Sequence, residues 1–99
     1  MKVGTDEGGI MHGVVIPATF NDRAAADQEL GGLVDQIRAM PGFVAGYWLA
    51  MSHDKGTALV LFENELSAQE LVDIVHGMPH GSVTAGVVEV GEVLAHAQR

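Results

Sequence analysis

The side chains best suited to bind an aromatic compound are Tyr47 and Trp48, the only tyrosine and the only tryptophan of the chain. A tyrosine hydroxyl can donate a hydrogen bond to a substrate hydroxyl or remove its proton, which makes Tyr47 a catalytic candidate. An indole ring offers a flat apolar wall for a planar ligand. If PGFVAGYWLAM, residues 41–51, is a β-strand, these two side chains leave the strand on opposite faces.

A hairpin after this strand is predicted to place Tyr47 or Trp48 opposite Phe62 on the next strand. These three aromatic residues are the candidate substrate-binding residues, because their rings could form a wall for a flat ligand. Ordinary packing in the core or in a dimer interface is the other interpretation, since buried aromatic side chains dominate both. In that case the hydroxyl of Tyr47 would make a structural hydrogen bond.

Two histidines, His76 and His80, have the i, i+4 spacing of a helical metal site. Gly77, Met78 and Pro79 lie between them, so the sequence predicts no shared helical face and no metal site. His76 is interpreted as a partner for the last carbonyls of a helix, with a catalytic role or haem ligation as alternatives. The other histidines are expected at the surface or in an interface, and they are His12, His53 and His96.

Three carboxylates on predicted strands, Glu63, Glu89 and Glu92, can reach the rim of a ligand site. A pair of them could transfer a proton, although solvated strand ends are the simpler explanation of their positions. The sequence patterns of serine hydrolases, phosphate-binding loops, zinc metalloproteases and EF-hands are not present. Residue spacing alone therefore indicates no particular reaction.

The composition limits the classes of partner. Thirteen acidic residues against five basic ones give a formal charge of −8, so neither nucleic acid nor an anionic membrane is expected as a partner. The absence of cysteine excludes disulfides and thiolate chemistry and fits a cytoplasmic protein. The longest apolar runs are strand-sized and too short for a membrane span. At 99 residues we expect one domain, 10–99, after a flexible tail, 1–9, without a signal segment.

Two helices are predicted to position these residues. An apolar stripe follows Asn21 or Asp22, either of which can act as the N-cap, and it continues until Pro41. The second helix starts with a capping box from Ser67 to Glu70, in which each side chain bonds the other's free backbone N–H. Leu66 and Leu71 are predicted to form the hydrophobic staple of this box, and Gly77 is predicted to end the helix.

Four strands are predicted from runs of apolar and β-branched residues at 10–20, 43–52, 57–63 and 83–94. The segment HDKG, 53–56, has the composition of a tight turn, while Pro17 favours an edge or bulge and Gly91 marks a bulge. The order of elements predicts an α+β protein with the ferredoxin-like βαββαβ topology. This fold has an antiparallel four-stranded sheet with two helices on one face.

Both faces of the predicted sheet are apolar, whereas a sheet with one wet face alternates apolar and polar residues. Strict alternation puts Phe43 on the same face as Tyr47 and Trp48 on the other, and it puts Val83 and Val90 on opposite faces. An exposed apolar face of this size is rare in monomers. We therefore expect a homodimer that packs sheet against sheet around a two-fold axis.

Short motifs follow one another in a recognisable order: Met40-Pro41-Gly42-Phe43, then Tyr47, the strand ALVLF at 58–62, and Phe62-Glu63-Asn64 ahead of a capped helix. Together they resemble the dimeric α/β-barrel superfamily and, within it, the antibiotic-biosynthesis monooxygenase-like (ABM) group. The resemblance covers roughly residues 11–97. It implies a homodimer whose two sheets form a barrel, with one ligand pocket per subunit between sheet and helices.

Members of the ABM group oxidise aromatic polyketide-like substrates without metal or flavin, and others bind and degrade haem. The oxygenase mechanism holds a phenol or enol as its anion, which reacts directly with O₂. Active members commonly place an Asn in the first strand, a Trp near the end of the third and, for haem, a His in the second helix. Here Asn21 stands at the end of the first strand and Phe62 at the position of the Trp. His76 lies about one helical turn after the position of the family's His.

The resemblance therefore implies three hypotheses. The leading one is a cofactor-independent, monooxygenase-like enzyme acting on a small aromatic or enolisable compound, with Trp48 partly replacing the third-strand Trp. The second is a non-catalytic dimeric module that binds a small apolar or aromatic ligand, which the departures at Asn21 and Phe62 favour. The third is a haem-binding or haem-degrading protein. No cofactor is expected under the first two hypotheses.

Overall fold

The computed structural model describes residues 10–78, 81–97 and 99. The predicted tail, residues 1–9, and His80 of the i, i+4 pair lie outside the described residues. Neither of the helices in the described part has the length and hydropathy that crossing a bilayer requires. In chain order the elements are β1 (His12–Phe20), α1 (Arg23–Arg38), β2 (Phe43–Ala50), β3 (Lys55–Phe62), α2 (Glu65–Gly77), β4 (Val83–Ala85) and β5 (Glu89–Glu92).

The strands form one antiparallel sheet in the order β2-β3-β1-β4, and β5 pairs with β1 beside β4. The segments β4 and β5 together occupy the fourth position, so the predicted ferredoxin-like α+β fold is confirmed with its last strand divided in two. We call the face covered by the helices the inner face and the opposite one the outer face. Val14 and Val60 mark the inner face at the centre of the sheet, where both are fully buried.

The last strand is interrupted at 86–88, whereas the sequence predicted a bulge near Gly91. The interruption lies beside Pro17, which has no N–H for a continuous ladder, and the Gly86 N–H donates to the Pro17 carbonyl oxygen over 2.7 Å. Between Ala85 and Glu89 this edge of the sheet has one residue more than the facing part of β1, from Val15 to Ala18. Val83 and Val90 therefore share the inner face, and the predicted opposite placement is wrong.

A second irregularity lies in β2, where Phe43 pairs with Phe62 but Ala45 pairs with Leu61. This bulge turns Phe43 to the inner face, so the prediction that it shares a face with Tyr47 is wrong. Its ring meets that of Phe62 edge-on, with ring centroids 6.3 Å apart and an interplanar angle of 81°. Only the part of β2 after the bulge follows the alternation that the sequence predicted.

The hairpin between β2 and β3 turns at 51–54, two residues before the predicted turn at 53–56. The Met51 N–H donates to the Lys55 carbonyl oxygen over 2.8 Å, which closes the turn. Lys55 joins β3 because it pairs with Thr19 of β1 on the other side, and this tertiary pairing outweighs the local turn propensity. Trp48 therefore lies opposite Ala58 and Tyr47 opposite Leu59, so neither lies opposite Phe62 as predicted.

The helix starts follow local capping chemistry. Asp22, one of the two predicted candidates, caps α1, because its side chain accepts a hydrogen bond from the Ala25 N–H over 3.1 Å. The predicted capping box of α2 is wrong, since Asn64 is the N-cap and accepts from the Ser67 N–H over 2.9 Å. The helix therefore begins one turn earlier, and Ser67 is buried within its first turn. The predicted helix end at Gly77 is confirmed.

The core lies between the inner face and one end of the helix pair. It contains Phe62 from β3, Ala68 and Leu71 from α2, and Ile37 from the last turn of α1. Phe62 and Leu71 are the largest fully buried side chains. The first half of α1 contributes only Ala26 as a buried residue, so the core leaves the other end of the inner face largely unfilled.

Candidate functional site

A cleft of about 950 Å³ opens between the inner face and the two helices, and we call it the inner cleft. Its floor is a row of small side chains that crosses the sheet. Ala50 pairs with Gly56, Gly56 with Ala18, and Ala18 with Ala85, so the row crosses all four strand positions. Larger side chains at the three alanine positions would fill the space beneath α1, as Val and Phe do at the core end. The Phe20 ring already covers Gly56.

Trp48 forms an aromatic wall of the inner cleft. It stands in the next row of the sheet, opposite the small side chain of Ala58. The indole is half-buried and packs against the edge of the core. Leu33 from α1 and Val75 from α2 also line the cleft, so a flat ligand would find apolar side chains on several sides.

Arg23, in the first turn of α1, stands at the mouth of the inner cleft. Its guanidinium carbon lies 5.1 Å from the centroid of the Phe20 ring. Its Nε donates to Asp27 over 3.0 Å, and its Nη1 donates to the His53 carbonyl oxygen over 3.2 Å. Because Phe20 in turn lies against Gly56, these contacts join the helix, the hairpin and the cleft floor.

The segment before β4 closes another side of the mouth. Ser82 donates a hydrogen bond to the Glu29 carboxylate of α1. Asn21 donates to the Gly81 carbonyl oxygen over 2.9 Å and to the Thr84 hydroxyl over 2.8 Å. Asn21 thus anchors the start of β4 in addition to preceding the capping residue. The charged groups at the mouth have polar partners, whereas most of the remaining lining of the cleft is apolar.

The structure separates the predicted site residues into three environments. Trp48 and His76 both line the inner cleft, where His76 is an exposed residue of the last turn of α2. Phe62 is fully buried in the core and is not among the residues that line the cleft. Tyr47 points to the outer face, where its side chain is 53% exposed. Trp48 is thus the one predicted aromatic residue that a ligand in the inner cleft would touch.

The remaining candidate groups lie elsewhere. Two of the predicted carboxylates, Glu63 and Glu89, are exposed and line neither cleft. His53 contributes its carbonyl oxygen rather than its imidazole to the mouth. His12 is half-buried on the inner face, so it does not lie at the open surface, which was one of its two predicted positions. Its Nδ1 is buried and has no hydrogen-bond partner among the residues that the structure describes. Strand alternation explains this position, because His12 shares its face with Val14.

Arg23, Asp27, Glu29 and Ser82 are the polar residues at the mouth that sequence reasoning missed. The i, i+4 spacing of Arg23 and Asp27 was a readable signal of an ion pair on α1. No sequence signal joins Ser82 to Glu29, because their contact depends on how the chain before β4 returns to the helix. Within the described ranges, no group of three His, Cys, Asp or Glu residues is arranged to hold a metal ion.

The outer face carries a shallower depression of about 480 Å³, which we call the outer cleft. Tyr47 and Leu59 line it together with Val15, and these side chains are 53%, 38% and 42% exposed. Glu92 and His96 stand at its border. Large apolar side chains thus remain exposed on the face that the helices do not cover.

No protein-family model matches the chain, and no curated protein sequence matches it either. Solved structures do. A protein of unknown function from Nitrosomonas europaea, NE2512, matches with a TM-score of 0.62 and 15% identity, over 93% of this chain and 98% of that one.

Two oxygenases are also similar in structure. A variant of SnoaB, a cofactor-independent oxygenase from Streptomyces nogalater, matches with a TM-score of 0.59 and 12% identity, over 89% of this chain and 95% of that one. The monooxygenase ActVA-Orf6 from Streptomyces coelicolor, solved with nanaomycin D, matches with a TM-score of 0.51 and 16% identity, over 97% and 100%. At these identities the likeness establishes the fold alone. It confirms the α+β fold that the order of elements in the sequence predicted.

Proposed function

We propose that this protein is a cofactor-independent monooxygenase-like enzyme that acts on a planar aromatic or enolisable compound bound in the inner cleft. The observation that carries the proposal is the apolar cleft of about 950 Å³, walled by Trp48, in a chain that shares the fold of cofactor-independent oxygenases. The apolar floor and the indole favour a flat, weakly polar ligand. The fold likeness supports the reaction class, and the cleft supports the class of substrate.

The proposed chemistry needs no prosthetic group, and anthrone illustrates its balance. Loss of one proton from the CH₂ carbon leaves an enolate, and this electron-rich carbon forms a C–O bond with O₂ to give a peroxide. When the second C–H proton is removed, the O–O bond breaks, the carbon becomes a carbonyl and the other oxygen leaves as water. One anthrone and one O₂ therefore give one anthraquinone and one water.

Three residues have stated roles in this proposal. Trp48 orients the ring system by stacking, which favours the reacting geometry. Arg23 retains N–H groups beyond those that contact Asp27 and His53, and they can stabilise the enolate oxygen. Glu29 is a carboxylate at the mouth that can accept the proton. Positioning and electrostatics are thus the protein's contributions.

Oxygen uptake with a panel of anthrones and hydroquinones tests the proposal. We expect uptake above the buffer rate, one quinone formed per O₂ consumed with an anthrone, and no loss of rate with EDTA. Arg23→Gln should lower kcat by about tenfold or more, because it removes a charge that faces the enolate. The matched control is Arg38→Gln, which removes an exposed arginine paired with Asp35 outside the cleft and should leave kcat unchanged. Absence of turnover with every compound would contradict the proposal.

The proposed active form is a homodimer that buries the outer faces of two chains. Leu59 projects from the central strand β3, and Tyr47 lies opposite it on β2. Exposed apolar side chains grouped on one face favour association with a matching surface, and a second copy supplies one by symmetry. In such a dimer Tyr47 would contact the partner subunit rather than the ligand.

Ligand binding without turnover is the second candidate function. It is favoured by the mouth of the cleft, where Ser82 already bonds Glu29 and Asp27 already bonds Arg23. Groups held in this way are less available to move protons during a reaction. Saturable quenching of Trp48 fluorescence by anthrone, without any oxygen uptake, would support this candidate over the enzyme.

A further inference from the structure

Gly46 lies two residues before Trp48 on β2, so the two positions share the inner face. A Cβ atom placed on Gly46 would lie 2.5 Å from Cη2 and 2.6 Å from Cζ3 of the Trp48 indole. Carbon atoms that are not bonded keep a separation of about 3.5–4.0 Å at their best contact. The indole therefore occupies the space that any side chain at position 46 would need.

The backbone conformation of Gly46 does not explain the glycine. Within the part of the chain that the structure describes, Gly42 is the glycine with a positive φ, and Gly46 is not. Any residue type could adopt the strand conformation found at Gly46. Space for the indole is therefore the structural requirement at this position.

Phe43 bounds the other side of Gly46, with its Cε1 atom 3.5 Å from the Cβ position. The bulge in β2 turns this ring inward, and Phe62 of the core holds it edge-on. An indole displaced by a side chain at position 46 cannot move towards Phe43. It would have to move away from β2, into the inner cleft that it lines.

We propose that Gly46 is a positioning residue that holds the Trp48 indole flat against β2 and thereby sets the size of ring system that the inner cleft accepts. The inference rests on the proposed function, because it takes the inner cleft as the ligand site. It also narrows the substrate class. With glycine at position 46 the cleft keeps its full width and admits planar compounds with three fused rings. A methyl group at this position would leave room only for smaller rings.

Spectroscopy of Gly46→Ala without any ligand tests the positioning, because Trp48 is the only tryptophan. We expect a red shift of the emission maximum and a changed near-ultraviolet circular dichroism signal, since the indole moves towards solvent in the cleft. The control is Gly31→Ala on α1, where a Cβ meets no atom within 4 Å and which does not line the cleft. Spectra of Gly46→Ala that superimpose on those of the wild type would overturn the inference.

Equilibrium dialysis with anthrone and with hydroquinone, under nitrogen so that the proposed oxidation cannot proceed, tests the size selection. Gly46→Ala should weaken anthrone binding about tenfold and hydroquinone binding less than about twofold. If Gly46 acts only through the indole, the same change in a Trp48→Leu background should alter either affinity by less than about twofold. Equal weakening of anthrone binding in both backgrounds would mean that the substitution acts through the backbone, and it would overturn the inference.

Two further outcomes are decisive. If Gly46→Ala does not fold, the double variant with Trp48→Leu should fold, because the smaller side chain leaves room for the methyl group. Failure of both to fold would overturn the inference.

If the wild type binds neither compound, the proposed function of the cleft fails and the size selection fails with it. The spectra would still decide whether Gly46 positions the indole.

Discussion

At the scale of single residues, the site depends on the absence of large side chains from the floor of the inner cleft. Ala18, Ala50, Gly56 and Ala85 come from four different segments, and only their register brings them into one row. No local pattern in the sequence marks these residues as a group. Trp48 could be singled out because it is unique, but its role as a wall depends on the small residues beside it.

Ala18→Leu should close the inner cleft by filling the middle of its floor. We expect saturable quenching of Trp48 fluorescence by anthrone to weaken at least about tenfold, while thermal stability is kept or raised because the added methyl groups occupy open space. The matched control is Ala24→Leu on the exposed side of α1, which does not line the cleft and should bind anthrone normally. Undiminished quenching in Ala18→Leu would mean that the ligand binds elsewhere.

At the scale of elements, the sequence predicts correctly the order of strands and helices and the end of α2, and it limits the cap of α1 to Asn21 or Asp22. These features depend on residues that are close together in the chain, so the sequence is sufficient to predict them. It missed the bulge at Phe43 and the break beside Pro17, because a shift of one residue depends on a partner strand. The same reason explains why the sequence predicts Tyr47 or Trp48 opposite Phe62, where the structure has Phe43.

The start of α2 gives a direct test of the corrected cap. Asn64→Ala should lower the free energy of unfolding by about 1 kcal/mol, because the Ser67 N–H loses its side-chain acceptor. Glu70→Ala removes the partner of the predicted capping box, which is exposed, and should change stability by less than about 0.5 kcal/mol. Denaturant unfolding measures both. An equal loss of stability in the two variants would contradict the Asn64 cap and support the capping box.

At the scale of the whole molecule, helices cover one face of the sheet and leave apolar side chains exposed on the other. The inner face carries the cleft that we propose as the ligand site, and the outer face carries the surface that we propose as the dimer interface. The adjacent residues Tyr47 and Trp48 illustrate this division, since one belongs to each face. Pairing of outer faces would leave both inner clefts open to solvent.

Leu59→Asp should prevent the proposed dimer, because it places a charge in the middle of the outer face. We expect sedimentation or light scattering to give twice the chain mass for the wild type and the chain mass for this variant. Leu66→Asp is the matched control, because Leu66 is 72% exposed on α2 and lies in neither cleft. A wild-type protein that stays monomeric at micromolar concentration would contradict the dimer.

The two margins of the sheet have a further consequence for assembly. One margin carries the kink between Phe43 and Ala45, and the other is broken at 86–88. A strand from another molecule would find no long, regular row of amide and carbonyl groups with which to form hydrogen bonds at either margin. Sideways growth into fibrils is thereby discouraged, whereas the proposed pairing of outer faces would end at two chains.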